Sequence, residues 1–129
     1  MPVVLVVDDT ARARESVARF LEHEGFKTIR AANGKEAYAT LYSQTPDLVL
    51  LDLMMPEMDG ITFLQMIRHH PHWEDIPVIV LTELKDEYKL IARAMRLRIN
   101  DLVPKANFGL EDLLMRIRKA IALRMAAAN

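Results

Sequence analysis

Five residues of this chain carry the groups that phosphoryl chemistry needs, and each lies at or just beyond the end of an apolar run. Asp8 and Asp9 follow Val3 to Val7, Asp52 ends the run Leu48 to Leu51, Thr82 follows Val78 to Leu81, and Lys105 comes after Leu102, Val103 and Pro104. A carboxylate set where a fully apolar strand stops, before a segment interrupted by Pro56 and Gly60, is presented at a sheet edge. Three carboxylates drawn together repel, which favours protonating one of them unless a hard cation neutralises them. Magnesium takes oxygen ligands and accepts phosphate oxygens as well. Lysine adds positive charge and threonine a hydrogen bond to the same anion. The set reads as a phosphoryl site in which one aspartate attacks while metal and lysine stabilise the transferring oxygens.

The elements that must position this set alternate along the chain. Val3 to Val7 predicts a strand, and Asp8, Asp9 and Thr10 can cap the helix that follows. That helix carries Val17, Phe20 and Leu21 inward and stops at Gly25. A strand over Lys27 to Ala31 leads through the Asn33, Gly34 turn to a helix burying Ala37, Tyr38 and Leu41, and Pro46 precedes the strand at Leu48. After Gly60 comes a helix with Ile61, Leu64 and Ile67 on one face, ended by Pro71, and Pro77 opens the strand Val78 to Leu81. Tyr88, Ile91, Ala92 and Met95 mark a further helix by their spacing. A weak strand at Leu102 and Val103 precedes a last helix with Leu110, Leu113, Leu114, Ile117 and Ile121 at helical spacing. Five strands alternating with five helices imply a parallel sheet covered on both faces, whose carboxyl ends share one crevice.

The bounds agree. The 129 residues make one domain over 1–129, with 125–129 either a frayed helix end or the start of a linker. With 51% apolar and 27% charged residues the chain reads as globular. The absence of cysteine excludes disulfides and thiolate metal sites and points to the cytoplasm. No apolar run approaches the ~20 residues of a membrane span. A net charge of -1 gives no general attraction to nucleic acid, so a partner must recognise a local surface.

In this order and spacing, the Asp8, Asp9 pair, the Asp52 to Gly60 segment, Thr82 and Lys105 resemble the receiver domain of two-component response regulators, along the whole chain. The resemblance implies a flavodoxin-like, doubly wound α/β fold with a five-stranded parallel sheet in the order 2-1-3-4-5 and five helices. It implies that Asp52 accepts a phosphoryl group from a histidine kinase or a histidine phosphotransfer protein. Asp9, Asp52 and the main-chain oxygen of Met54 would bind Mg2+, Asp8 would act through bound water, and Thr82 and Lys105 would contact the phosphoryl oxygens. Such a domain is a signalling switch, not an enzyme beyond its own phosphorylation and dephosphorylation. It would be a monomer or a weak dimer through the last two helices and the strand between them, and that face would meet the output partner. No direct contact with nucleic acid or membrane is implied.

Four positions depart from the family's pattern. Leu102 stands where an aromatic switch residue is usual, so coupling there must run without a ring. Ala106 follows the lysine where a cis proline is common, and a non-proline cis bond costs ~3 kcal/mol, so a trans Lys105–Ala106 bond is expected. Glu83 replaces a small residue after Thr82 and is expected to alter phosphorylation kinetics. Arg98 lies where glycine is frequent and is expected to change the turn before the last strand.

Other residues have plainer readings. Asp59 with Gly60 reads as a turn and helix start. His69, His70 and His72 beside Trp73 read as a solvated helix end, the methionines as core or loop filler, and Arg116, Arg118, Lys119 and Arg124 as a solvated face. Two rival functions remain open. A haloacid-dehalogenase-type phosphotransferase uses an Asp-x-Asp signature after the first strand, where this chain has adjacent Asp8 and Asp9. A non-phosphorylated interaction module on the same scaffold is the other.

Overall fold

A computed structural model describes residues 1–53, 55, 59–83, 88–106 and 109–128. Its strands are β1 (Val3–Val7), β2 (Lys27–Ala31), β3 (Leu48–Asp52), β4 (Val78–Thr82) and β5 (Asp101–Pro104). Its helices are α1 (Ala11–His23), α2 (Gly34–Leu41), α3 (Gly60–Arg68), α4 (Tyr88–Met95) and α5 (Leu110–Ala128). The strands form one parallel sheet in the order β2-β1-β3-β4-β5. The doubly wound fold expected from the sequence is the fold observed.

Successive residues of a strand point to opposite faces, and here both faces are covered. Leu5, Val7, Val49, Leu51, Val78 and Val80 pack into the core under α2, α3 and α4. Val4, Val6, Leu48, Leu50, Ile79 and Leu81 pack into the core under α1 and α5. That double covering is why these strands read as unbroken apolar runs.

The helix boundaries have local causes. Gly25 takes a φ of +96°, a left-handed conformation that ends α1 with little strain only for glycine. Asn33 and Asp59 cap α2 and α3, each side chain accepting an N–H three residues on, from Glu36 and Thr62. The start of α1 corrects the sequence reading. Its cap is Thr10, whose side chain makes no capping bond, and the Asp8 carboxylate instead accepts the Thr10 N–H at 2.9 Å.

Helix α4 shows which of its apolar residues face inward. The helix that the spacing of Tyr88, Ile91, Ala92 and Met95 marked is present, with Tyr88, Ala92 and Met95 exposed and Ile91 partly buried. The helix turns Ala94 into the core, with Leu90, Ile91 and Leu97 packed against it. The methionine reading also fails in part, since Met95, Met115 and Met125 are exposed on helices while Met55 is buried. Helix α5 continues through Ala128.

Arg98 adopts a φ of +59°, so the turn into β5 uses the left-handed conformation with a side chain present. The carbonyls of Leu97 and Arg98 accept hydrogen bonds from Nε and Nη2 of the buried Arg68 at 2.8 and 3.1 Å. Nη1 of Arg68 donates to the carbonyls of Glu74 and Ile76. Burial, then the nearby Arg98 charge, pushes the Arg68 guanidinium down to about 10, so it remains charged at neutral pH.

Candidate functional site

The carboxyl ends of β1, β3, β4 and β5 bring the expected residues to one edge. Asp8 extends β1 by one further ladder bond, its N–H donating to the Ala31 carbonyl at 3.1 Å. Its own carbonyl accepts from Nη1 of Arg14 at 2.7 Å, which ties the segment to the first turn of α1. Asp52 is the last residue of β3, paired in register with Leu81, and Thr82 is the last residue of β4, paired with Pro104. The Thr82 carbonyl accepts the Lys105 N–H at 2.7 Å, carrying the β4–β5 ladder to the lysine.

The side chains converge. One carboxylate oxygen from each of Asp8, Asp9 and Asp52 falls in a group whose members lie within 4.8 Å of one another. Lys105 Nζ sits 3.1 Å from Oδ2 of Asp52 and 3.2 Å from Oδ2 of Asp8. Asp8 and Asp52 are buried, at 3% and 4% exposure, Thr82 is fully buried, Lys105 is half-buried, and Asp9 is exposed. Burial works to lower the Lys105 pKa, but the attraction of Asp52 and Asp8 outweighs it and leaves the ammonium raised above its ordinary value. Three carboxylates against one ammonium leave the edge negative, and their all-oxygen donor set fits a hard divalent cation.

A residue the sequence marked only as a turn former holds this edge together. A Cβ on Gly60 would stand 2.5 Å from the main-chain oxygen of Asp52 and 2.8 Å from Cα of Leu53. The start of α3 therefore crosses the end of β3 where only glycine fits, and the Gly60 N–H donates to the Leu53 carbonyl at 3.1 Å. The signal was present in the sequence, since a glycine eight residues beyond a strand-end aspartate opens the next helix; what it touches was not.

Other expected residues fall as follows. Leu102 lies on β5, half-buried, and packs against the core under α3 and α4. Met54, whose carbonyl was a candidate metal ligand, lies outside the described residues. Glu83 is exposed directly after Thr82. No cis peptide bond occurs among the described residues, as expected for Lys105–Ala106. His69 and His72 are exposed, while His70 stacks on the buried Trp73 with ring centroids 3.8 Å apart. Arg116 is not merely solvated, because it pairs with Asp101 and Asp112.

Comparison with known proteins agrees with this geometry. The family model of the response regulator receiver domain matches residues 4–118. Response regulator MprA of Mycolicibacterium vanbaalenii is 39% identical over 119 residues, covering 92% of this chain and 50% of that protein. The chain thus spans about half the length of the curated relatives it matches. Among solved structures, the signal receiver domain of a signal transduction histidine kinase from Syntrophus aciditrophicus aligns with a TM-score of 0.86 at 30% identity, covering 95% of this chain and 91% of that one. Chemotaxis response regulator CheY4 of Vibrio cholerae aligns with a TM-score of 0.84 at 28% identity, covering 93% and 98%. No helix among the described residues is long and apolar enough to cross a membrane.

Proposed function

The chain belongs to the response regulator receiver domain family, signalling switches of two-component systems, and on that premise we propose that Asp52 accepts a phosphoryl group from a histidine kinase or histidine phosphotransfer protein. The observation that carries this reading is the contact of Lys105 Nζ with Asp52, 3.1 Å apart, inside the cluster of three carboxylates.

In the transfer, an oxygen of Asp52 attacks phosphorus, the new O–P bond forms, and the N–P bond of the donor phosphohistidine breaks with its electron pair leaving on the imidazole. Lys105 stands where it can exchange its contact with the Asp52 carboxylate for one with a phosphoryl oxygen, keeping a positive charge beside the developing negative charge. Asp8, held by the Thr10 N–H, keeps Lys105 oriented from the other side. Asp9, Asp52 and the carbonyl of Met54 are the groups that would hold Mg2+, with Asp8 acting through water. The ion would neutralise the carboxylates and polarise the phosphoryl group. The Thr82 hydroxyl then takes a phosphoryl oxygen. Leu102, with no ring to swing, couples to α4 by repacking against the same core as Leu90 and Ile91.

The proposed setting is the cytoplasm, and the partner-facing surface is that of α4, β5 and α5. The test is Asp52→Asn with acetyl phosphate and Mg2+. Intact-mass measurement should show an acid-labile phosphoryl adduct on the parent protein, and none on the variant or after chelation of the metal. An adduct that survives Asp52→Asn refutes the assignment.

A further inference from the structure

The joint between β1 and α1 is closed without the usual side-chain cap, since Thr10, the N-cap residue of α1, makes no side-chain capping bond. Asp8 is instead held at four atoms by four partners. Its N–H donates to the Ala31 carbonyl at 3.1 Å, its carbonyl accepts from Nη1 of Arg14 at 2.7 Å, Oδ1 accepts the Thr10 N–H at 2.9 Å, and Oδ2 lies 3.2 Å from Lys105 Nζ. Of these, the Arg14 bond is the one that comes from inside α1. Helical side chains lean toward the amino end of their helix, so a guanidinium in the first turn reaches back to the strand that precedes it. The bond is as short as charge-assisted hydrogen bonds are, and Arg14 is half-buried. Its consequence falls on Asp9. The Asp8 carbonyl and the N–H and Cα of Asp9 share one peptide plane, so whatever fixes that oxygen fixes the plane from which the Asp9 side chain springs. Asp8 is buried and gripped by its own carboxylate, whereas Asp9 is exposed and packing does little to direct it. Mg2+ demands near-octahedral placement of its oxygens, so the direction of that carboxylate matters to affinity.

We propose that Arg14 is a positioning residue for the metal: its guanidinium locks the Asp8–Asp9 peptide and so directs the Asp9 carboxylate toward the ion. The inference rests on the reading of Asp9 and Asp52 as Mg2+ ligands given above. Arg14 acts on the ion in two ways of opposite sign, which makes the role measurable. As a positive charge beside the acidic edge it repels a divalent cation, so by charge alone its removal strengthens binding. As the anchor of the peptide its removal weakens binding, and losing an outer hydrogen bond that orients a metal ligand costs roughly 10- to 100-fold in affinity. Positioning therefore predicts a net loss where charge alone predicts a gain.

The test measures Mg2+ binding to the full chain by titration calorimetry, with no phosphodonor present. Arg14→Met keeps the apolar stem and removes the donors, and should raise the Mg2+ Kd about tenfold. Arg14→Lys can still donate to the Asp8 carbonyl but lacks the fork, and should bind Mg2+ more tightly than Arg14→Met and less tightly than the parent. Arg12→Ala removes an exposed charge from the same turn of α1 and should leave the Kd within about twofold of the parent. In the metal-free protein the Asp9 amide, whose N–H lies in the locked plane, should shift in Arg14→Met. Urea midpoints separate this role from a purely structural one, which lowers the midpoint of Arg14→Met and leaves the Kd of the folded protein at the parent value. A parent that binds no Mg2+ refutes the metal reading and this inference with it. A parent that binds Mg2+ while Arg14→Met binds it equally or more tightly overturns the role of Arg14 alone. So does an Arg12→Ala loss as large as that of Arg14→Met, an Arg14→Lys variant no tighter than Arg14→Met, or an unmoved Asp9 amide.

Discussion

Gly60→Ala separates the requirement for a precise β3 edge from the requirement for a folded domain. The new Cβ would lie 2.5 Å from the Asp52 carbonyl oxygen, whereas ordinary contact begins near 3.4 Å, so the two backbones must part by about 0.9 Å. Both partners are main chain, and no side-chain rotation relieves the clash. Parting them also stretches the hydrogen bond from the Gly60 N–H to the Leu53 carbonyl. Overpacking of this kind costs roughly 1–3 kcal/mol and the strained bond about 1 more, a large share of the roughly 5–15 kcal/mol that holds a domain together. Asp52 is the residue displaced, and a shift near 1 Å in a reacting group slows a reaction by up to roughly a hundredfold. Two other glycines calibrate the result. At Gly25 a Cβ meets nothing within 4 Å, but its φ of +96° strains any side chain. Gly25→Ala should therefore cost about 1–2 kcal/mol and leave the phosphorylation rate of the folded protein alone. Gly109 has open space and no such φ, and Gly109→Ala should change stability by less than about 0.5 kcal/mol. Urea unfolding followed by circular dichroism gives the stabilities, and intact-mass kinetics with acetyl phosphate under native conditions give the rates. If Gly60→Ala matches Gly109→Ala in stability, the steric reasoning fails. If it is destabilised but phosphorylates at the parent rate, the link from Gly60 to Asp52 fails.

Three further variants probe the opposite edge of the sheet. Arg68→Met removes a buried cation that serves four main-chain carbonyls, and should cost roughly 3–5 kcal/mol in urea unfolding because those carbonyls lose their donors. Arg68→Lys should recover only part of the loss, since an ammonium lacks the planar fork that reaches both loops; full recovery would mean that charge alone matters there. Arg98→Gly removes the strain of a side chain at a φ of +59° and keeps the carbonyl that Arg68 uses. It should stabilise the protein by about 0.5–1 kcal/mol after allowing for the freer unfolded glycine, and a lowered urea midpoint would refute that account of the turn.

The strands and the convergent site were legible for one physical reason. A parallel strand covered on both faces must be apolar at every position, so a polar residue at its end is conspicuous, and four such ends define one edge. What periodicity cannot tell is which of two apolar stripes faces inward. In α4 the stripe of Tyr88, Ala92 and Met95 and the stripe of Leu90, Ile91 and Ala94 both have helical spacing. The same limit hid the capping failure at Asp8, whose carboxylate bonds the Thr10 N–H of its own turn and salt-bridges Lys105 across the sheet. Arg68 left a trace that went unread: it stands four residues after Leu64 and seven after Ile61, on the buried stripe of α3.

The two edges of the sheet differ in what fixes them, and that difference bears on how a change at Asp52 travels. At the amino edge, β4 and β5 are pinned by side chains built for the purpose. The Asn100 carboxamide oxygen accepts the Val78 N–H at 2.9 Å, and the Asn100 N–H returns a bond to the Val78 carbonyl at 2.8 Å. Arg68 holds the Leu97 and Arg98 carbonyls beside them. At the carboxyl edge the pairing of β4 and β5 runs to Thr82 and Pro104 and is extended by the main-chain bond from Lys105 to Thr82, and the side chains there are the charged groups of the site. A rearrangement around Asp52 that moves Thr82 and Lys105 therefore leaves in place the turn after α4, which Arg68 holds by the Leu97 and Arg98 carbonyls.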